Sequence, residues 1–289
     1  MMLLVGLAVV LLAVAGGYMM EGGQILLLFQ PAELVIIGGA AVGMMLLGTP
    51  VPVLKALATQ CRRLFTPTQT QGDFANLLAM LYQLFRVVQQ TGVMALEAHV
   101  ENPAQSSILS KYPKFLANHG AVSFLADSGK VIIVGGMSPH DLDHLMSEDL
   151  EVRHKDELQP AQALTKIGDA LPGFGIVAAV LGVVLTMQAI DGPPSEIGHK
   201  VGAALVGTFL GILLSYGVVQ PFATSLEFRV DDEACVEQCV KAGLLAMYKG
   251  FAPAIAVEFA RRAIPEEMRP SFEATEQLCR DTRTKAKAA

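Results

Sequence analysis

The stretch KIGDALPGFGIVAAVLGVVLTMQAI, residues 166–190, is the most informative part of this chain about its architecture. Its last 21 residues carry no charge. A helix rises about 1.5 Å per residue and the hydrocarbon core of a bilayer is about 30 Å thick, so this stretch is long enough to cross a membrane. Small residues recur at four-residue spacing, in the pairs Gly175/Ala179 and Ala178/Gly182, and such pairs let a second helix approach closely. The stretch therefore predicts a transmembrane helix that packs tightly against another helix.

The composition of the whole chain is that of a membrane protein. Of its 289 residues, 52% are hydrophobic and 17% are charged, and the mean hydropathy is +0.47. Soluble domains carry about 25% charged residues. The net charge of -6 argues against a protein that binds nucleic acid. The four cysteines form no CxxC pair, and the chain has no nucleophile elbow, P-loop or cluster of metal ligands, so neither an enzyme nor a cofactor is predicted.

Three further apolar stretches predict membrane spans, which makes four in all. Residues 1–20 lack the basic segment of a signal peptide, since the first basic residue is Lys55, and we interpret them as a span that is retained. The second and fourth spans are predicted at 34–54 and 201–226, and the fourth carries small residues at every fourth position: Gly207, Gly211 and Ser215.

The basic residues predict the orientation. Nearly all of the Lys and Arg residues lie in two polar segments, and basic residues close to span ends favour the cytoplasmic side. Both polar segments and both termini are therefore predicted to be cytoplasmic. Helical spacing of apolar residues predicts helices in these segments, among them 73–91 and 138–158.

The predicted class is an all-α polytopic membrane protein with four transmembrane helices and a helical cytoplasmic domain. Its predicted divisions are a first transmembrane hairpin at 1–54, a cytoplasmic helical domain at 55–168, a second transmembrane hairpin at 169–226, and a cytoplasmic helical extension and tail at 227–289.

No Asp, Glu, Lys, Arg or His lies inside any predicted span. Ionisable residues within a membrane mark ion and proton paths, so the chain alone has no evident proton carrier. Two interpretations remain open: the spans are a passive anchor, or a partner helix supplies the ionisable group and these spans form the wall. A transporter that works alone is disfavoured, because it would carry charges or broken helices at the membrane midplane.

Four residues in or beside the spans each have a structural and a functional interpretation. Asp169, just before Pro172, either caps the third span or lies at the mouth of a channel. Thr208 either bonds to its own helix or lines a path. Pro172 and Pro221 are either ordinary kinks or hinges between the membrane and cytoplasmic parts.

Several motifs together resemble one known family. The chain is similar to the MotA family, the larger stator subunit of the bacterial flagellar motor, from the first span to Phe272. The motifs that carry the resemblance are QPAELVIIGGA (30–40), ENP (101–103), GDALPGFGIVAAVLGVV (168–184), VGTFLGILLSYG (206–217) and AVEFARRAIPEEMRPSF (256–272).

The resemblance implies a location, an assembly and a set of site residues. Members of this family form a homopentamer around two copies of a MotB-type partner in the bacterial inner membrane, and the partner's span supplies an essential Asp. Ions pass between the two proteins, and the ring turns against the rotor protein FliG. By this resemblance the second hairpin is inner and lines the pore, and the first is peripheral. The matching ion-path and coupling residues are Asp169, Pro172, Thr208 and Pro221.

The resemblance also implies contacts with the rotor through one Glu and one Arg. The Glu matches Glu97, whereas the position of the Arg holds Gln89. Arg86 lies one helical turn earlier, so it either replaces the missing Arg or is an ordinary solvated residue.

Ion choice is predicted from Ala179, where sodium-driven relatives carry a threonine. Hard cations such as sodium need oxygen ligands, which a methyl group does not supply, so the proton is the predicted coupling ion. The alternative function is that of an ExbB-type energy-coupling subunit for outer-membrane transport. That class shares the two core spans but has three spans in all, so the first hairpin at 1–54 separates the two.

Overall fold

The structure is a computed structural model that describes residues 2–66, 69–188 and 190–288, with side chains as far as Thr284. Within these residues the secondary structure is helical and contains no strand, which confirms the predicted all-α class. Among the described residues, four segments are long and apolar enough to cross a membrane: Met2–Met20, Ile25–Gly48, Pro139–Met187 and Pro194–Tyr248. The α-helices are α1 Met2–Met20, α2 Ile25–Leu28, α3 Pro31–Gly48, α4 Val51–Arg63, α5 Gln71–Thr91, α6 Glu97–Val100, α7 Pro113–Ala117, α8 His119–Val134, α9 Pro139–Met187, α10 Pro194–Leu214, α11 Gln220–Tyr248, α12 Pro253–Arg262 and α13 Phe272–Ala288.

The chain divides into two compact units. The membrane unit comprises Met1–Thr66 and Glu157–Arg229, and the polar unit comprises Pro67–Asp156 and Val230–Ala289. The described part of the membrane unit has a small core, with α3 packed against α10. The polar unit has the larger core, which is built around α5.

Helix α9 runs without a break through the point where the third span was predicted to begin. Its start is the predicted one, since the hydroxyl oxygen of Ser138 accepts the N–H of Asp141 at 3.2 Å. Asp169, however, lies well inside the helix, so the interpretation of Asp169 as an N-cap is wrong. Pro172 also lies inside α9. The helix continues past this proline because the hydrogen bond that the proline removes is replaced from another helix, as described below.

The second span begins and ends earlier than predicted. Helix α3 starts at Pro31, and the chain becomes extended at Thr49 and Pro50 before α4 begins. Glu33 therefore lies in a membrane-spanning segment, and its side chain is only 8% exposed. The prediction that no ionisable residue lies inside any span is wrong at this residue, because the span was placed to start one residue after it.

The third and fourth spans cross at glycine, and the contact is one of backbone against backbone. A Cβ added to Gly211 would lie 2.7 Å from the carbonyl oxygen of Leu171 and 2.8 Å from the Cα of Gly175. A Cβ added to Gly175 would lie 2.8 Å from the carbonyl oxygen of Gly207. Real Cβ atoms do not approach other atoms this closely, so only glycine fits at these positions. The predicted close packing of the small-residue faces is confirmed.

Side chains cap the N-termini of two helices of the polar unit. Thr70 and Asp73 form a reciprocal capping box at the start of α5. Asn118 separates α7 from α8, and its side-chain oxygen accepts the N–H of Ala121 at 3.1 Å. The apolar face predicted at 73–91 is the centre of the core, where Phe74, Leu78, Met80, Leu81, Leu84 and Phe85 are almost completely buried.

The motif at 256–272 forms a clasp between α12 and the chain that follows it. Arg261 pairs with both carboxylate oxygens of Glu258, at 2.7 and 2.8 Å, and donates a third bond to the carbonyl oxygen of Pro270 at 3.0 Å. The hydrogen bond from Arg261, together with one from Arg262, holds the pKa of Glu258 at about 2, below its ordinary value of 4.5. Because the folded pKa is depressed, this stabilisation is complete above pH 4.5 and is lost as the pH falls towards 2.

We expect Gly211→Ala to destabilise the purified chain in detergent by about 1–3 kcal/mol, because the added methyl meets backbone atoms that cannot move aside. Gly202→Ala is the matched control on the same helix, since a Cβ there has nothing within 4 Å. The control is expected to be neutral or stabilising, because alanine is the better helix former. Thermal unfolding followed by circular dichroism measures both, and equal melting temperatures for the two variants would contradict the close crossing.

We expect Arg261→Gln to lower the free energy of unfolding of the polar unit by about 1.5–3 kcal/mol, since hydrogen bonds to a charged group are lost in a mostly buried place. Arg262→Gln is the matched control: Arg262 also bonds to Glu258, but its side chain is 74% exposed. Its loss should cost about 0–1 kcal/mol. Denaturant unfolding of the two variants measures the difference, and a larger effect at Arg262 would show that the clasp is not the stabilising element.

Candidate functional site

Pro172 leaves one carbonyl group of α9 without its helical donor, and the fourth span supplies a replacement. Proline has no N–H, so the carbonyl oxygen of Gly168, four residues earlier, loses its normal bond. The hydroxyl of Ser215 donates to that oxygen at 2.7 Å, and Ser215 is completely buried. The proline is therefore a point at which α9 is bonded to its neighbour.

Pro221 lies next to a second irregularity. Between α10 and α11 the chain forms a π-helical turn, Ser215–Val219, in which the N–H of Gln220 bonds to the carbonyl oxygen of Ser215. Single π turns of this kind are rare in proteins as a whole, and those that occur often lie at functional sites. The side chain of Gln220 also donates to a carboxylate oxygen of Asp169 at 2.7 Å. We call Gly168, Asp169, Pro172, Ser215, Gln220 and Pro221 the proline clamp.

Ala179 and Thr208 lie at the glycine crossing, so the structure brings these two predicted ion-path residues to the same place. The backbone nitrogen of Ala179 lies 3.2 Å from where a Cβ at Gly207 would be. The Cα of Thr208 lies 3.3 Å from where a Cβ at Gly175 would be. Both side chains are half-buried in this single chain. Pro172 lies two helical turns from Ala179, about 10 Å along the same helix.

The surface of α9 beside the crossing is apolar. The exposed side chains are those of Ile176, Val177, Val180, Leu181, Val183 and Val184, each about half exposed. The one buried hydroxyl of this segment faces its own helix, since Thr186 donates to the carbonyl oxygen of Gly182 at 2.8 Å and is fully buried. The exposed face of α9 is therefore lined by aliphatic side chains. An ion that moves along this face needs polar groups from another helix.

The predicted rotor-contact residues lie apart from this site, in the polar unit. Arg86 is half-buried and Gln89 exposed on α5, and Glu97 is exposed on α6. Gly92 separates the two helices with a φ of +90°, a conformation that favours glycine. Arg86 and Glu97 therefore belong to different helices, which are joined by Gly92 and a short 3-10 helix, Val93–Leu96.

Sequence analysis missed the roles of three residues. Ser215 was assigned only to a packing stripe and no role was predicted for Gln220, although Pro172 itself signals that a carbonyl oxygen needs a donor. Glu33 was placed outside the second span, although the QPAE sequence puts proline at the first helical position and therefore Glu33 inside the helix. Within residues 2–66, 69–188 and 190–288, no three His, Cys, Asp or Glu side chains come together as a metal site would require.

Two family models match the chain. The model "Motility protein A N-terminal" matches residues 4–92, and the model "MotA/TolQ/ExbB proton channel family" matches residues 113–236. The first match contains the hairpin that separates the two families considered above, so the ExbB-type alternative is not favoured.

Relatives and solved structures agree with the models. The chain is 42% identical to Motility protein A of Salmonella typhimurium over 284 residues, which covers 98% of this chain and 96% of that protein. The MotAB structure from C. jejuni has a TM-score of 0.76 at 18% identity, covering 93% of this chain and 98% of that one. The flagellar MotAB stator complex from Bacillus subtilis has a TM-score of 0.72 at 24% identity, covering 92% and 96%. At these identities the two structures show the shared fold. The chain, a multi-pass inner-membrane protein, belongs to the Motility protein A family of flagellar stator subunits.

Proposed function

We propose that five copies of this chain surround two copies of a MotB-type partner, conduct protons with it and turn against the rotor protein FliG. Both termini lie in the cytoplasm in this arrangement. The observation that carries the proposal is the exposed face of α9, which is apolar and uncharged beside a close crossing with α10. Such a face lacks a proton carrier of its own, so it requires a carboxylate on a partner helix. The likeness to MotAB structures supports a partner of that kind.

The proton is the proposed coupling ion, as the side chains near the crossing favour it. A sodium ion needs several oxygen ligands in place of its water, whereas a proton needs a carboxylate and water. Ala179 supplies a methyl group, and the hydroxyl of Thr186 is already donated to its own helix. Thr208 is then the hydroxyl proposed to line the path.

The proline clamp is the proposed coupling element. Ser215 bonds α9 to the π turn, and Gln220 bonds the same turn to Asp169, so the two spans are held together where both are irregular. A change of charge on the partner's carboxylate beside the wall therefore moves α9 and α10 as one body. Pro172 and Pro221 are the proposed hinges, since helices bend most often at proline.

The proposed rotor contact uses Glu97, and Arg86 as the substitute for the Arg that is absent at Gln89. The exposed carboxylate of Glu97 is free to meet a basic group of FliG. Exposed charge pairs contribute only about 0.2–1 kcal/mol each. Several weak pairs that form and break in turn suit a contact that must be remade at every step.

In a host that lacks its own stator, we expect this chain and its MotB-type partner to restore swimming that a protonophore stops and that sodium concentration does not change. Swimming speed in buffers with potassium or sodium at constant pH measures this. Speed that follows sodium concentration would overturn the choice of ion.

We expect the purified complex to contain five copies of this chain and two of the partner. Single-particle imaging counts the subunits, and a ratio other than five to two would overturn the proposed assembly.

We expect Glu97→Lys and Arg86→Glu each to lower torque without abolishing it, because each removes one weak pair among several. Rotation of tethered cells measures torque, and membrane levels of the complex are checked by immunoblot. Glu151→Lys is the control, since Glu151 is an exposed carboxylate of the polar unit outside the proposed contact. If Arg86→Glu rotates as well as this control, Arg86 does not replace the missing Arg.

A further inference from the structure

Glu33 is a carboxylate inside the membrane unit whose position the proposed function does not use. It is the third residue of α3, and its side chain is 92% buried, with 8% of its surface exposed. Its Oε2 atom is completely buried and has no hydrogen-bond partner among the described residues. A buried polar atom without a partner costs free energy, so a group of this kind that is retained calls for an explanation.

The carboxylate occupies space that Gly207 leaves open. Oε2 lies 2.7 Å from where a Cβ at Gly207 would be, and Oε1 lies 3.7 Å from where a Cβ at Gly182 would be. Any side chain at Gly207 would occupy the space of the carboxylate. The second span therefore inserts Glu33 between the third and fourth spans, at the glycine crossing itself.

The two spans that enclose Glu33 place no basic side chain beside it. The segments 170–190 and 201–219 contain no Lys, Arg or His, and Lys200, just before the second segment, pairs with Glu196 at 3.0 Å. An ionised carboxylate is costly in apolar surroundings, whereas the positive end of a helix stabilises a negative charge in its first turn. A carboxyl group under these two opposing effects is suited to proton exchange.

Glu33 lies close to two of the predicted ion-path residues, Ala179 and Thr208. A Cβ added to Gly207 would lie 2.7 Å from Oε2 of Glu33 and 3.2 Å from the backbone nitrogen of Ala179. Both atoms are therefore neighbours of Gly207. Thr208 follows Gly207 directly on α10. The carboxylate thus lies behind the wall that carries Ala179 and Thr208, close to the short turn that precedes α3.

We propose that Glu33 is a proton-exchange site that this chain itself contributes to the ion path. The carboxylate takes a proton from water at the end of the spans near the 21–30 turn. It then releases the proton to water that leads to the partner's carboxylate: the O–H bond of the acid breaks, a new O–H bond forms on the water, and no electrons are exchanged. The proposal rests on the proposed proton-conducting function, to which it adds a second ionisable group.

The test uses the full complex with its MotB-type partner in vesicles that contain a pH-sensitive dye. Glu33→Gln keeps the shape of the side chain and cannot exchange a proton, whereas Glu33→Asp keeps the acid. We expect Glu33→Gln to reduce proton uptake at least about tenfold, as for loss of an acid–base group, and to reduce swimming in parallel. Glu33→Asp should retain part of both. Glu21→Gln is the control, because Glu21 is an exposed carboxylate in the turn before α2.

The outcomes separate this inference from the proposed function. If the wild-type complex takes up no protons, the proposed function fails. If the wild type conducts and Glu33→Gln conducts equally well, only the present inference fails and Glu33 is a packing residue.

A second measurement needs no variant and applies even if Glu33→Gln does not assemble. A hydrophobic carbodiimide modifies carboxyl groups that carry a proton within apolar surroundings. We expect mass spectrometry of the wild-type complex treated at neutral pH to show an adduct at Glu33 and none at Glu21, with loss of proton uptake. No adduct at Glu33 would overturn the proposal.

Discussion

The contact on which the rest of the membrane unit depends is the backbone crossing of α9 and α10 at glycine. Gly175 and Gly211 approach so closely that a Cβ on either would collide with backbone atoms of the other helix. Association within a bilayer gains little from burial of apolar surface, because lipid tails are as apolar as leucine, so close packing supplies the attraction. The crossing thereby fixes the relative positions of Ala179, Thr208 and the carboxylate of Glu33.

The proline clamp depends on that crossing. A hydroxyl reaches a free carbonyl on a neighbouring helix only if the two backbones are close, and Ser215 belongs to the same small-residue stripe as Gly207 and Gly211. Pro172 leaves the carbonyl oxygen of Gly168 without its helical donor, and Ser215 of the neighbouring span supplies one. The close packing of the two spans thus also satisfies this buried carbonyl.

The polar unit is stabilised mainly by burial of large apolar side chains. Its core around α5 is like that of a water-soluble helical domain, with large apolar side chains buried and most of the charged side chains at least partly exposed. The motif at 256–272 contributes to stability, since Arg261, Glu258 and Pro270 close the chain that follows α12. This motif is one of those that carry the resemblance to the family. Its residues therefore have a structural role in this chain.

The helical class, the four apolar spans, the small-residue faces and the apolar face of α5 can all be predicted from the sequence. These follow from local composition and period, which hydropathy and spacing express directly. Three features required the three-dimensional arrangement: the continuity of α9 through Pro172, the bonds of Ser215 and Gln220 in the proline clamp, and the place of Glu33 at the crossing. Each of these depends on which atoms of another helix come within about 3 Å, and hydrogen-bond geometry is that demanding. A residue placed one position outside a predicted span, such as Glu33, changes from a surface charge to a buried one when three helices meet around it.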